Sequence, residues 1–320
     1  MICNRFQRNL QPVLLGLLLL NACTAAPAPS TVARTYHSQG LTCETQGDYT
    51  CAVTNYTQAI QLAPDWAEPY DNRGLAYAAQ GDYTRAMADW DRAIQLQPDY
   101  ADAYLNRGLG YYQQKDYARA IADYDQALRL QPNNYETLYL RGRAYSEKGD
   151  YDLAIADFEK AIAALPNNPV VYVARGIAYR RKGDLERALA DANRALQLRP
   201  NDAESYYNRG NIYSDQQAWT AAIADYDQAL KLNSQLVNAY INRGLAYTQQ
   251  GELDRAIADL DRALQIDPTR PEAYLNRGLA YAQQKNNVKA LLDFQQAIEH
   301  SRDPEFIKKV DDLLNSLSGK

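Results

Sequence analysis

Seven arginines recur along the chain: Arg73, Arg107, Arg141, Arg175, Arg209, Arg243 and Arg277. Each is followed sixteen residues later by an aspartate: Asp89, Asp123, Asp157, Asp191, Asp225, Asp259 and Asp293. A planar guanidinium and a carboxylate at fixed spacing can form a two-pronged ion pair. Alternatively, the arginines line a groove and bind anionic ligands. At the corresponding places near the start stand Gln39 and Asn55, so both charges are missing together, as pairing predicts. An unpaired buried guanidinium costs several kcal/mol, which favours a structural ladder of pairs. An asparagine precedes most of the arginines: Asn72, Asn106, Asn208, Asn242 and Asn276. A side-chain amide donates and accepts at once, so such a row suits either an extended peptide backbone or bonding between helices.

Other chemistry is sparse. His37 and His300 are the only histidines and have no metal-ligand spacing around them. Pairs such as Asp89/Asp91, Asp123/Asp125 and Asp225/Asp227 lie two apart and point to different faces of a helix. No glycine-rich phosphate loop or nucleophile motif is present, so no catalytic residue, cofactor or metal is assigned and an enzyme is not expected. The net charge of −5 argues against a nucleic-acid surface.

The elements that position these residues follow from one period. Gly74, Gly108, Gly142, Gly176, Gly210, Gly244 and Gly278 are 34 residues apart, and Gly40 extends the series backwards. Alanine recurs twelve residues after each glycine (Ala52 to Ala290) and again seven later (Ala59 to Ala297). Tyr70, Arg73, Gly74 and Tyr77 follow the i, i+3, i+4, i+7 spacing of a helical face, and Ala86, Trp90, Ala93 and Ile94 make a second. Between them Gly81 can end one helix and Asp82 can cap the next. A fixed period of this length is a solenoid.

The pattern Tyr70, Gly74, Tyr77, Ala86, Trp90, Ala93, Pro98 resembles the tetratricopeptide repeat (TPR). Repeat six departs from it with Ser234 in place of proline, and repeat eight with Arg302. The resemblance implies an all-α, right-handed superhelix of eight repeats: 33–66, 67–100, 101–134, 135–168, 169–202, 203–236, 237–270 and 271–304. A capping helix and tail over 305–320 follow, with an apolar stripe of Phe306, Ile307, Val310, Leu313 and Leu314. It also implies a concave face lined by the first helix of each repeat, with the asparagine row on it. That row resembles the asparagine ladder of the O-GlcNAc transferase family. Leu140 and Ala174 interrupt it, and there Arg143, Arg180 and Arg181, with Lys148 and Lys182, form a local basic cluster for a carboxylate-rich partner or a solvated helix end. The lysine–asparagine pattern of chaperone-binding carboxylate clamps is absent, since Asp71 and Leu75 stand in its places.

The N-terminus reads separately. Arg5 and Arg8 precede an apolar run, Val13–Leu20, too short to span a bilayer. Leu20-Asn21-Ala22-Cys23 resembles a bacterial lipobox, although Asn21 is larger than is usual there. The resemblance implies a signal peptide over 1–22, a lipidated (palmitate-bearing) Cys23, and a Pro/Ala-rich tether over 23–32. Thr24, where an aspartate commonly retains a lipoprotein in the inner membrane, favours the outer membrane of a cell with two. Loss of the two signal arginines takes the charge from −5 to −7. Cys43 and Cys51 remain as an even pair in an exported chain, a candidate disulfide or two free thiols. The expected function is a membrane-anchored, non-enzymatic scaffold that binds polypeptide partners in its groove during envelope assembly. A glycan- or small-molecule-binding lipoprotein is the alternative, suggested by 26 tyrosines.

Overall fold

The computed structural model describes residues 28–318; the lipobox and Cys23 lie outside the described residues. Seventeen helices and no strand are found among them. The first eight pair as α1 (Thr31–Thr45) with α2 (Tyr49–Leu62), α3 (Ala67–Ala79) with α4 (Tyr83–Leu96), α5 (Ala101–Gln113) with α6 (Tyr117–Leu130), and α7 (Tyr135–Lys148) with α8 (Tyr151–Ala164). The next eight pair as α9 (Pro169–Lys182) with α10 (Leu185–Leu198), α11 (Ala203–Asp215) with α12 (Trp219–Leu232), α13 (Val237–Gln250) with α14 (Leu253–Ile266), and α15 (Pro271–Gln283) with α16 (Asn287–His300). These hairpins stack into a right-handed superhelix. Each first helix touches the first helix of the next hairpin, whereas consecutive second helices are not in comparable contact. The first helices therefore form the inner wall. No described helix is long and apolar enough to cross a membrane.

Local chemistry explains the hairpins. Asp48, Asp82, Asp116 and Asp184 cap second helices by accepting from the backbone N–H three residues on. The residue before each cap position adopts positive φ in every repeat: Gly47, Gly81, Gly149, Gly183 and Gly251, but Lys115, Gln217 and Lys285 in the other three. Both alanine series are almost wholly buried, from Ala52 and Ala59 to Ala290 and Ala297.

The glycine of each first helix lies under a large side chain of its own second helix. A Cβ on Gly108 would stand 2.7 Å from the Tyr124 ring. Repeat five is the exception: Gly176 faces Ala192, and a Cβ there would meet nothing closer than 3.4 Å. The volume is restored from the next repeat. Ile212, 2% exposed, stands where Gly110 leaves room for Trp90. A small–large pair thus replaces a large–small pair at one interface, as close packing requires.

At the far end α17 (Pro304–Ser318) lays Phe306, Val310, Leu313 and Leu314 over Leu275, Phe294 and Ala297, closing the last repeat. At the near end Cys43 and Cys51 are joined by a disulfide, their Cα atoms 5.7 Å apart, and Asn55 donates to both sulfurs.

Candidate functional site: the inner wall

Every one of the seven arginines meets the aspartate sixteen residues on. Arg107 Nε and Nη2 donate to the two oxygens of Asp123 at 2.8 and 2.7 Å. The same two-pronged contact joins Arg73–Asp89, Arg141–Asp157, Arg175–Asp191, Arg209–Asp225, Arg243–Asp259 and Arg277–Asp293. In six of the seven the remaining terminal nitrogen reaches back into the preceding repeat, to Thr57, Asp91, Asp125, Asn193, Asp227 or Asp261; Arg175 makes no such bond. Each pair therefore fastens first helix to second, and all but that of Arg175 fasten one repeat to the next. The hydrogen bonds it donates to Asp123 hold the Arg107 guanidinium above its ordinary pKa despite its desolvation. Tyrosine rings complete the sockets, with Tyr104 5.7 Å from Arg107 and Tyr77 5.8 Å from Arg73. These arginines are committed to carboxylates.

The asparagine row lies on the inner wall but is largely engaged. Asn72 Nδ2 lies within hydrogen-bond distance of His37 Nε2, at 2.8 Å. His37 lies between the Tyr56 and Trp66 rings, and burial pushes its pKa down. Asn106 Nδ2 donates to Asp71 Oδ1 at 3.0 Å, and Asn242 Nδ2 to Asn211 Oδ1 at 2.8 Å. Asn276 makes no such bond, and Asn208 Nδ2 is buried with no partner. The cause is visible next door. Asn242 is served by Tyr207, Asn211 and Tyr226, whereas the equivalent places around Asn208 hold Val173, Ile177 and Ala192. These line a small cavity with Gly176 and Ile212, of about 10 Å³, room for about one water.

The basic cluster is mostly neutralised. Arg180 pairs with Asp215, Arg181 with Glu147, Lys148 with Asp150 and Lys182 with Asp152. Arg143 has no carboxylate and rests instead against Tyr112 and Tyr139.

One buried carboxylate carried no signal in the sequence. Asp71 is 2% exposed and has no cation beside it; it accepts from Asn106 and, at 3.2 Å, from Tyr100. Desolvation raises its pKa to about 6. Among the described residues no group of three metal-binding side chains is assembled.

Comparison with known proteins agrees with this geometry. Models described as TPR repeat and tetratricopeptide repeat match 45–81, 74–115, 105–169, 158–190, 176–217, 210–251, 244–285 and 271–304. No curated protein sequence matches. Among solved structures, yeast Tom70 aligns with a TM-score of 0.60 at 18% identity, over 92% of this chain and 66% of its own. The chain therefore spans just under two thirds of that protein. A tetratricopeptide repeat protein from Parabacteroides merdae aligns at 0.55 and 19% identity, over 91% of this chain and all of its own. IFIT1, in a structure with m7Gppp-AAAA, aligns at 0.64 and 17% identity, over 88% of this chain and 72% of its own. At these identities the likeness is one of fold. The period, the hairpins and the family models together make this chain a member of the tetratricopeptide repeat family.

Proposed function

We propose that the protein is a non-enzymatic scaffold that holds polypeptide segments against its inner wall. TPR proteins generally mediate protein–protein interaction. The observation that carries the reading for this chain is the distribution of unspent polar groups. The ladder arginines and three row asparagines are consumed internally and the Asn208 donor is buried, while Arg143 and Asn276 keep donors that no carboxylate or amide of the chain takes. A segment of extended chain offers the carbonyls to match. Tyrosines are the support for a glycan reading, but rings such as Tyr77, Tyr104 and Tyr247 are spent on the arginine sockets and Tyr226 is fully buried.

The location belongs to the same proposal: export, lipidation at Cys23 and, in a cell with two membranes, a place on the periplasmic face of the outer membrane, in envelope assembly. It rests on the lipobox-like Leu20–Cys23. Several acyl chains on one residue anchor stably, where a single chain is marginal. Labelling with radioactive palmitate tests the anchor. Incorporation abolished by Cys23→Ser is expected, and no incorporation into the native chain overturns it. For the groove, a photo-crosslinking residue at position 276 is compared with one at Leu153, an exposed residue of α8. Polypeptide adducts in envelopes from position 276 and not from 153 are expected. Equal adducts from both sites, or none, count against the scaffold.

A further inference from the structure

Arg143 marks a change in the chemistry of the inner wall. Leu75, Leu109, Leu245 and Leu279 occupy its place in other repeats. Its guanidinium carbon lies 5.0 Å from the Tyr112 ring centroid and 5.7 Å from that of Tyr139, and Nη2 donates to the Tyr112 hydroxyl at 3.1 Å. Burial is partial. Every ladder arginine grips a carboxylate with two nitrogens; Arg143 is in ion-pair distance of none. The acid one turn on, Glu147, is taken by Arg181.

The floor beside it is also incomplete. The Tyr124 hydroxyl is buried without a hydrogen-bond partner and lies within the field of Arg143. In repeat six the equivalent Tyr226 hydroxyl donates to Asn211 and is approached by Asn242. Leu109 and Leu140 stand in those two places around Tyr124. A half-buried cation without a carboxylate thus lies between Tyr112 of α5 and Tyr139 of α7, near a buried hydroxyl that also has no partner.

We propose that Arg143, between the Tyr112 and Tyr139 rings, binds the carboxylate of an acidic side chain within an extended partner segment lying along the inner wall. The inference rests on the polypeptide-binding reading above and names the chemistry the partner brings. A guanidinium has five N–H groups in a fork that fits a carboxylate, and here they meet only the Tyr112 and Tyr139 hydroxyls. The flanking rings exclude water and strengthen the contact. One positive charge is balanced by a monoanion, whereas a phosphate dianion leaves excess negative charge facing Glu147 in an acidic protein.

The test uses the full chain with 15N-labelled arginine, reading the side-chain Nε–Hε signals; the Arg143 signal is identified by its loss in Arg143→Gln. The probes are two acetylated, amidated seven-residue alanine peptides that differ only in a central Glu or Gln. Saturable movement of the Arg143 signal is expected, at about tenfold lower concentration for the Glu peptide, with the ladder signals still. In Arg143→Gln, with its melting curve unchanged, the two peptides should bind alike. Equal effects of both peptides on the native chain overturn the carboxylate while leaving a polypeptide groove intact. No effect of either, or tighter binding of inorganic phosphate than of the Glu peptide, also overturns it.

Discussion

Arg243 holds both oxygens of Asp259, Nε on Oδ2 at 2.7 Å and Nη2 on Oδ1 at 2.6 Å, and gives its third nitrogen to Asp227 of the preceding repeat. Breaking a buried pair from one side leaves an uncompensated charge, at a cost of about 3–5 kcal/mol, whereas replacing both partners with apolar groups is far milder. Arg243→Leu strands Asp259, which is 7% exposed, while Asp259→Leu leaves the arginine its contact with Asp227. The first is expected to cost about 3 kcal/mol and the second about 2 kcal/mol. The double variant should cost well under their sum by urea unfolding; simple additivity sinks the ladder as a coupled pair.

Repeat five has a weaker joint. Arg175 grips Asp191 but makes no bond back to repeat four, where Glu159 occupies the place held by Asp91, Asp125, Asp227 and Asp261 elsewhere. The longer side chain accepts instead from Tyr179 at 3.5 Å. Glu159→Asp should supply the missing contact and raise stability by about 0.5 kcal/mol, a size set by its exposure. A lowered urea midpoint means that the contact does not form.

The contrast between these repeats shows what a sequence can disclose. Glycine every 34 residues, with alanine series in step, marks the close approach of two helices, so the period alone yields the superhelix. The arginine–aspartate spacing was legible because the same two residue types recur seven times. The partners of the asparagine row were not, because each interface uses a different type: His37 for Asn72, Asp71 for Asn106, Asn211 for Asn242. Nor was the exchange of Trp90 over Gly110 for Ala192 under Ile212, since it links residues of adjacent repeats whose sizes make sense only together. The pairings within the basic cluster were hidden for a related reason. Arg180 and Arg181 are neutralised by Asp215 and Glu147, 35 and 34 residues away.

Lys115, Gln217 and Lys285 adopt φ near +60° at the hairpin turn where five other repeats have glycine. A left-handed backbone costs an L-residue about 1–2 kcal/mol, partly offset by the greater unfolded-state freedom of glycine. All three side chains are exposed, so little contact is lost. Each change to glycine should stabilise by about 0.5–1 kcal/mol, and the three should add because the sites are remote. Thermal melting of the triple variant checks this; no rise in Tm refutes it.

Asn208 carries a buried amide with no acceptor, and Leu140 shows that the fold accepts leucine at the same place in repeat four. Removing an unsatisfied buried donor recovers about 1 kcal/mol. Asn208→Leu should therefore raise Tm. A variant that melts lower assigns the amide a structural role.

Asp71 gives the array a pH dependence of unusual sign. Its carboxyl has a pKa of about 6 in the folded chain, against an ordinary 3.8, because burial penalises the charge. Asn106 and Tyr100 pull it down less, and nearby Asp102 and Glu44 push it further up. Between these two values the folded chain keeps a proton that the unfolded chain releases, so this group's contribution to stability falls as pH rises from about 4 to 6. The loss amounts to about 3 kcal/mol and persists at neutral pH. An amide in its place can still accept from Asn106 and donate to Tyr100. Asp71→Asn is therefore expected to be more stable than the native chain at pH 8 by up to about 3 kcal/mol, and by only about 0.5 kcal/mol at pH 4. Urea unfolding of both chains across that range measures the difference; a gap that does not change with pH shows that the Asp71 carboxyl titrates alike in the folded and unfolded chains.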